Sequence, residues 1–146
     1  MLKLKDIMTV DPVQVGPQMT LRETMELLSE NHISGVPVVS GRKVVGVFTA
    51  SDLLDFLSEY DETSPSVGRH RRTPLDEVMV SEVMTRHIHS LLPECSVEEA
   101  AEFMRKAQIH RILVMKDDEL LGIATTMDVA KAVADHRIQH RAYVFV

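Results

Sequence analysis

Gly46-Val47-Phe48-Thr49-Ala50-Ser51-Asp52 and Gly122-Ile123-Ala124-Thr125-Thr126-Met127-Asp128 share the form G-h-x-T-x-x-D, where h is apolar, and lie 76 residues apart. Working outward from that pair, the same offset lays residues 4–57 on 80–133 without a gap. Met8-Thr9 falls on Met84-Thr85, Pro17 on Pro93, Glu23 on Glu99, Ile33 on Ile109 and Val38 on Val114. Local structural signals recur at the same offset. Thr20-Leu21-Arg22-Glu23 and Ser96-Val97-Glu98-Glu99 both read as capping boxes, in which a hydroxyl accepts from a free helix N–H and the glutamate reaches back. Apolar residues at helical spacing then run to about Asn31 and about Gln108. The runs Val36–Val39 and Ile112–Met115 predict strands, each ended by a polar turn, Ser40-Gly41-Arg42 and Lys116-Asp117-Asp118. Second strands follow at Val44–Thr49 and Leu120–Thr125 and lead into second helices at about 51–60 and 127–135. Val13–Val15 and Ser90–Leu92 read as short strands before the first helices. The order is β-α-β-β-α twice, an α+β fold.

The expected boundaries are residues 1–58 for the first repeat, 59–77 for a connector, 78–135 for the second repeat and 136–146 for a tail. A unit of about 54 residues buries too little surface to stand comfortably alone, so the repeats are expected to pack face to face with pseudo-two-fold symmetry. Glu59–Asp76 carries no apolar period and is expected to be an exposed, mobile connector.

With 146 residues, 45% of them hydrophobic and 26% charged, the chain has the balance of a globular domain with a real core. A formal net charge of −6 opposes the counterion-release binding that basic proteins use, so no nucleic-acid partner is expected. Cys95 is the single cysteine and cannot close an intrachain disulfide; Glu94, Glu98 and Glu99 beside it disfavour a thiolate. That fits a reducing, cytoplasmic setting. Residues 1–6 lack the apolar core of a signal peptide and no apolar run approaches the ~20 residues of a membrane span, so no membrane partner is expected.

The G-h-x-T-x-x-D stretch sits where a strand runs into a helix. Such a corner offers unpaired N–H groups and a positive dipole end to a phosphate, and a carboxylate to the cis-diol of a ribose. A second reading needs no ligand: Thr49 and Thr125 serve as N-caps, and Asp52 and Asp128 as favourable first-turn acids. Duplication does not choose between them, because a duplicated scaffold duplicates its caps.

The Met-Thr leading segments, the repeated β-α-β-β-α order and both G-h-x-T-x-x-D motifs together make nearly the whole chain resemble a tandem pair of CBS domains, a Bateman module. The resemblance implies a non-catalytic regulatory module that binds an adenosine nucleotide, AMP, ADP or ATP, with no catalytic cofactor, and that assembles as a homodimer. It implies ligand contacts from Thr49, Asp52, Thr125 and Asp128, with Val47 and Ile123 flanking a base. In that family each pocket is built crosswise. Ile109-His110-Arg111-Ile112-Leu113-Val114 is similar to a V-H-R-L-V-V stretch of a kinase regulatory subunit, where the His-Arg pair faces phosphates; Ser34-Gly35 stands at the matching place in repeat one. The likeness therefore implies that His110 and Arg111, with Met84, serve the cleft of Thr49 and Asp52. Met8, Pro12, Ser34 and Gly35 would wall the cleft of Thr125 and Asp128. Ile88-His89 and Leu113 depart from Pro12-Val13 and Pro37 of repeat one, which alters the base-contacting wall of the first cleft.

Other features point to less. His136 with His140, and His87 with His89, have metal-compatible spacing but no evident third ligand, and no metal is expected. Arg69-His70-Arg71-Arg72 is read as a solvated basic run. No nucleophile elbow, H-E-x-x-H pair or Walker loop is present, so no enzyme is expected. The apolar tail Ala142–Val146 is expected to pack against something, and an adaptor that docks a protein partner, with vestigial clefts, is the alternative function.

Overall fold

A computed structural model describes residues 1–59 and 74–135. The expectations for Arg69–Arg72, His136, His140 and the tail Ala142–Val146 lie outside the described residues, as does most of the connector.

The elements run α1 Leu4–Ile7, β1 Thr9–Val10, α2 Leu21–Asn31, β2 Gly35–Ser40, β3 Lys43–Thr49 and α3 Ala50–Glu59. After a 3-10 turn at Pro74–Asp76 come α4 Val80–Val83, β4 Ser90–Leu91, α5 Val97–Ala107, β5 Arg111–Lys116, β6 Glu119–Thr125 and α6 Thr126–Ala134. The fold is α+β with two repeats, as the sequence implies. Both first helices start from capping hydroxyls, Thr20 Oγ1 accepting from the Glu23 N–H and Ser96 Oγ from the Glu99 N–H, each at 3.1 Å. Both end on a non-glycine residue in the left-handed region, His32 at φ 54° and Gln108 at φ 56°, which closes the helix at the same turn. Both hairpins carry a bulge at the same place, between Val38 and Val39 and between Val114 and Met115.

One expectation is corrected, and two elements are added to it. Val13–Val15 is not a strand: only Val15 makes a bridge, to Val38, because Pro12 and the Gly16-Pro17 turn leave no room for a longer ladder. The leading segments form single helical turns, α1 and α4, which are too short for a hydrophobic period to announce them. Each of these turns is held by a carboxylate on a backbone N–H, Asp6 on Lys3 at 2.8 Å and Glu82 on Met79 at 2.7 Å.

The chain divides into two compact units that do not follow the repeat boundaries. One comprises Met1–Pro12 with the chain from His89 onward; the other comprises Val13–Ile88. Each repeat's core is thus completed by the leading segment of the other. In the Val13–Ile88 unit, β2 and β3 form an antiparallel hairpin, flanked by Val15 pairing with Val38 and by Thr85 pairing with Val47. Val80 of α4 is buried with Val15, Leu21, Leu28, Val36, Val38, Phe48 and Met84. In the other unit the sheet order is β1-β6-β5-β4, with Thr9 opposite Ile123 and Leu91 opposite Val114. Leu4 of α1 is buried there with Ala100, Ile112, Val114 and Ala124. The docking bonds match as well, Leu21 N–H to Val78 O at 2.9 Å and Val97 N–H to Leu2 O at 3.0 Å. Fully burying one such aliphatic side chain stabilises by about 1.5–3 kcal/mol, so the exchanged segments are part of the cores they enter.

Candidate functional site

Strand alternation places the site. In β3, Val44, Gly46 and Phe48 point inward, which leaves Val45, Val47 and Thr49 on the half-buried face. In β6, Gly122 and Ala124 are buried while Ile123 and Thr125 share the other face. The two glycines are required by a close approach. A β-carbon on Gly46 would lie 2.6 Å from Met84 Sδ and 2.8 Å from the Thr85 carbonyl oxygen; on Gly122 it would lie 2.7 Å from both Met8 Sδ and Thr9 O. Met8 and Met84, expected to line the clefts, thus lie against the glycine floors of the two motifs within their own units.

At the corner itself, Asp52 Oδ2 accepts from the Thr49 N–H at 2.9 Å and from the Thr49 hydroxyl at 3.2 Å, while the Asp52 N–H donates back to Thr49 Oγ1 at 3.2 Å. Asp128 repeats this with Thr125 at 2.8, 3.1 and 3.2 Å. The capping reading is therefore realised in both copies. It does not use up the carboxylates, because it engages only Oδ2 in each. The second oxygens differ. Asp52 Oδ1 accepts from the Thr85 hydroxyl at 2.9 Å. No bond from Thr9 to Asp128 accompanies it among the described residues, although Thr9 has the same backbone pairing as Thr85. Thr85 is the residue that sequence reasoning missed, although the repeated Met-Thr pair was its signal.

The other expected contacts fall as follows. The Ser34 carbonyl accepts from the Ala50 N–H at 2.9 Å at the start of α3, and the His110 carbonyl accepts from the Thr126 N–H at 3.0 Å at the start of α6. In the ladders Gly35 stands opposite Thr49 and Arg111 opposite Thr125. The structure thus brings together Val47, Thr49, Asp52, Met84 and the backbone of Ser34 in the Val13–Ile88 unit. It brings together Met8, Ile123, Thr125, Asp128 and the backbone of His110 and Arg111 in the other, a unit that also contains Pro12. Pro12 is buried. The exposed His110 lines an open hollow of about 400 Å³ with Gln108, Thr126 and Val129.

Away from the corners, Cys95 donates to Glu99 Oε2 at 3.4 Å, and burial first, then that bond and the glutamate's charge, push its thiol up to about 11. A thiol held in that form is a poor nucleophile. His89 packs edge-on against Phe103, with ring centroids 5.8 Å apart. Among the described residues there is no cluster of three or more metal-ligating side chains, and no helix is long and apolar enough to cross a membrane.

Comparison with known proteins accords with this architecture. The chain is 28% identical over 130 residues to the CBS domain-containing protein YhcV of Bacillus subtilis, an alignment covering 89% of this chain and 84% of that one. Of other curated relatives it spans only between 15% and 46%. Among solved structures, CBSX2 in complex with AMP superposes with a TM-score of 0.77 at 24% identity, covering 94% of this chain and all of that one. The CBS domain pair of protein MJ0100, in complex with 5′-methylthioadenosine and S-adenosyl-L-methionine, does so at 0.77 and 22%, covering 93% and 98%. At these identities the superpositions speak to the fold. The CBS domain profile matches residues 4–59 and again 80–135, and by that double match the chain belongs to the CBS domain family.

Proposed function

We propose that the chain is a non-catalytic regulatory module that binds an adenosine nucleotide at its two Thr-Asp corners, with each carboxylate accepting from the hydroxyls of the ribose. The observation that carries this reading is the duplicated corner: capping engages Oδ2 of each aspartate and leaves Oδ1 of Asp128 without a protein donor among the described residues. A carboxylate oxygen so placed is an acceptor in search of O–H groups. The adenosine moiety is common to the ligands of the two solved relatives, which supports that class over a bare phosphate.

In this reading Val47 and Ile123 flank the base, beside Met84 and beside Met8 and Pro12 respectively. His110 and Arg111 supply positive charge to a ligand phosphate, where an arginine fork can engage two oxygens at once. Ser34 and Gly35, at the matching place, offer only a hydroxyl and backbone, which suits a less charged adenosine ligand. No bond of the ligand is broken; occupancy shifts the packing of the module. A cytoplasmic homodimer is part of the proposal, supported by the exposed apolar Leu54 and Leu57 on α3 and Met127 on α6.

Titration calorimetry with AMP, ADP, ATP and S-adenosylmethionine tests it. Replacing Asp52 or Asp128 by alanine is expected to weaken the affected site by roughly tenfold or more, the worth of hydrogen bonds to a charged acceptor. A double variant that binds the whole panel as the parent does would rule out the diol assignment. A parent that binds none of the panel would instead favour an adaptor.

A further inference from the structure

The two corners share their backbone, their caps and their glycine floors, yet they differ by one hydrogen bond. An ionised carboxylate has about four lone-pair positions, two on each oxygen. In both copies Oδ2 already accepts two donors from the capping threonine. In the Asp128 copy no described residue donates to Oδ1, so both its positions are open to the two O–H groups of a cis-diol. In the Asp52 copy the Thr85 hydroxyl holds one of them at 2.9 Å, so a single position is left. Thr85 is kept in place by its own backbone, which exchanges bonds with Val47 at 2.8 and 2.9 Å.

We propose that Thr85 is a specificity-determining positioning residue: its hydroxyl occupies one acceptor position on Asp52, so that this corner discriminates poorly between ribose and 2′-deoxyribose, while the Asp128 corner discriminates well. The inference rests on the nucleotide reading above and deepens it. A 2′-deoxyribose brings one O–H to the carboxylate and fits the single open position. A ribose brings two, and its second hydroxyl must displace Thr85.

The test compares AMP with 2′-deoxy-AMP by calorimetry, one corner at a time. An Asp128→Ala background reports the Asp52 corner, and an Asp52→Ala background reports the Asp128 corner. The preference for AMP over 2′-deoxy-AMP is expected to be about tenfold or more greater at Asp128 than at Asp52, the value of one further bond to a charged acceptor. Thr85→Val should raise the preference at Asp52 to the level seen at Asp128. Thr85→Ser, which keeps the hydroxyl, should behave as the parent, and Thr9→Val should leave Asp128 unchanged. Should Thr85→Val not fold, Thr85→Ala removes the same donor. A general loosening of the fold weakens both nucleotides alike and does not move their ratio. AMP binding with a ratio at Asp52 that ignores Thr85 overturns this inference and leaves the nucleotide reading standing. A parent that binds neither nucleotide at either corner overturns both.

Discussion

Phe48 is wholly buried in the core of the Val13–Ile88 unit, while the matching position in the other unit is the wholly buried Ala124. The partner position reverses the exchange, since Leu27 packs against the core with Phe48 and Phe103 against the core with Ala124. Bulk has moved from the strand to the helix, and the strand registers and bulges are the same in both units. Thr24 likewise stands where the other unit has Ala100, both fully buried, with the Thr24 hydroxyl donating to the Thr20 carbonyl at 2.9 Å. By contrast, the glycine, threonine and aspartate of the corner are unchanged between the copies. Cores of this kind tolerate exchanges that keep the total volume and the apolar pattern. A corner that must admit a passing methionine and cap a helix accepts only those that fit.

The comparison can be broken most severely at Phe48. Phe48→Ala is expected to cost about 3–5 kcal/mol, read from urea denaturation, because it removes the aromatic without the compensation that Phe103 provides opposite Ala124. Adding Leu27→Phe, which copies the other unit's arrangement, should recover part of that loss; no recovery would mean that the two cores are not interchangeable solutions. Next come the glycine floors. Gly46→Ala and Gly122→Ala each press a methyl group against a methionine sulfur and a carbonyl oxygen, and both should cost about 2–3 kcal/mol in the same assay. Unequal costs would show that the leading segments give way differently in the two units. Smallest is the cap. Thr49→Ala and Thr125→Ala should each lose about 1 kcal/mol of stability. Asp52 keeps its bond from Thr85 whereas Asp128 keeps only the Thr125 backbone N–H, so binding of AMP at the Asp128 corner should suffer more in calorimetry.

One contrast between the units has no repeated counterpart. Arg22 pairs with Asp76 where α2 meets the 3-10 turn, and the matching residue in the other unit is Glu98, whose buried Oε2 has no hydrogen-bond partner among the described residues.

Much of this was legible from the residues in order. The offset of 76, the capping hydroxyls Thr20 and Ser96, and the β-branched runs at residues 36–39 and 112–115 placed the longer helices and the hairpins within a residue or two. Those signals are local, fixed by periodicity and by the chemistry of helix ends, so chain order alone carries them. The single turns α1 and α4 were not legible, being barely one helical period long and so showing no repeat, and Val13–Val15, expected as a strand, holds only the bridge at Val15. Where the leading segments dock, with Leu4 completing the second repeat's core and Val80 the first's, depends on contacts between residues far apart in the chain, which no local pattern encodes. For the same reason the sequence determined that both corners carry a threonine and an aspartate, and only the tertiary structure decided that a threonine 33 residues away reaches one carboxylate while its twin leaves the other open.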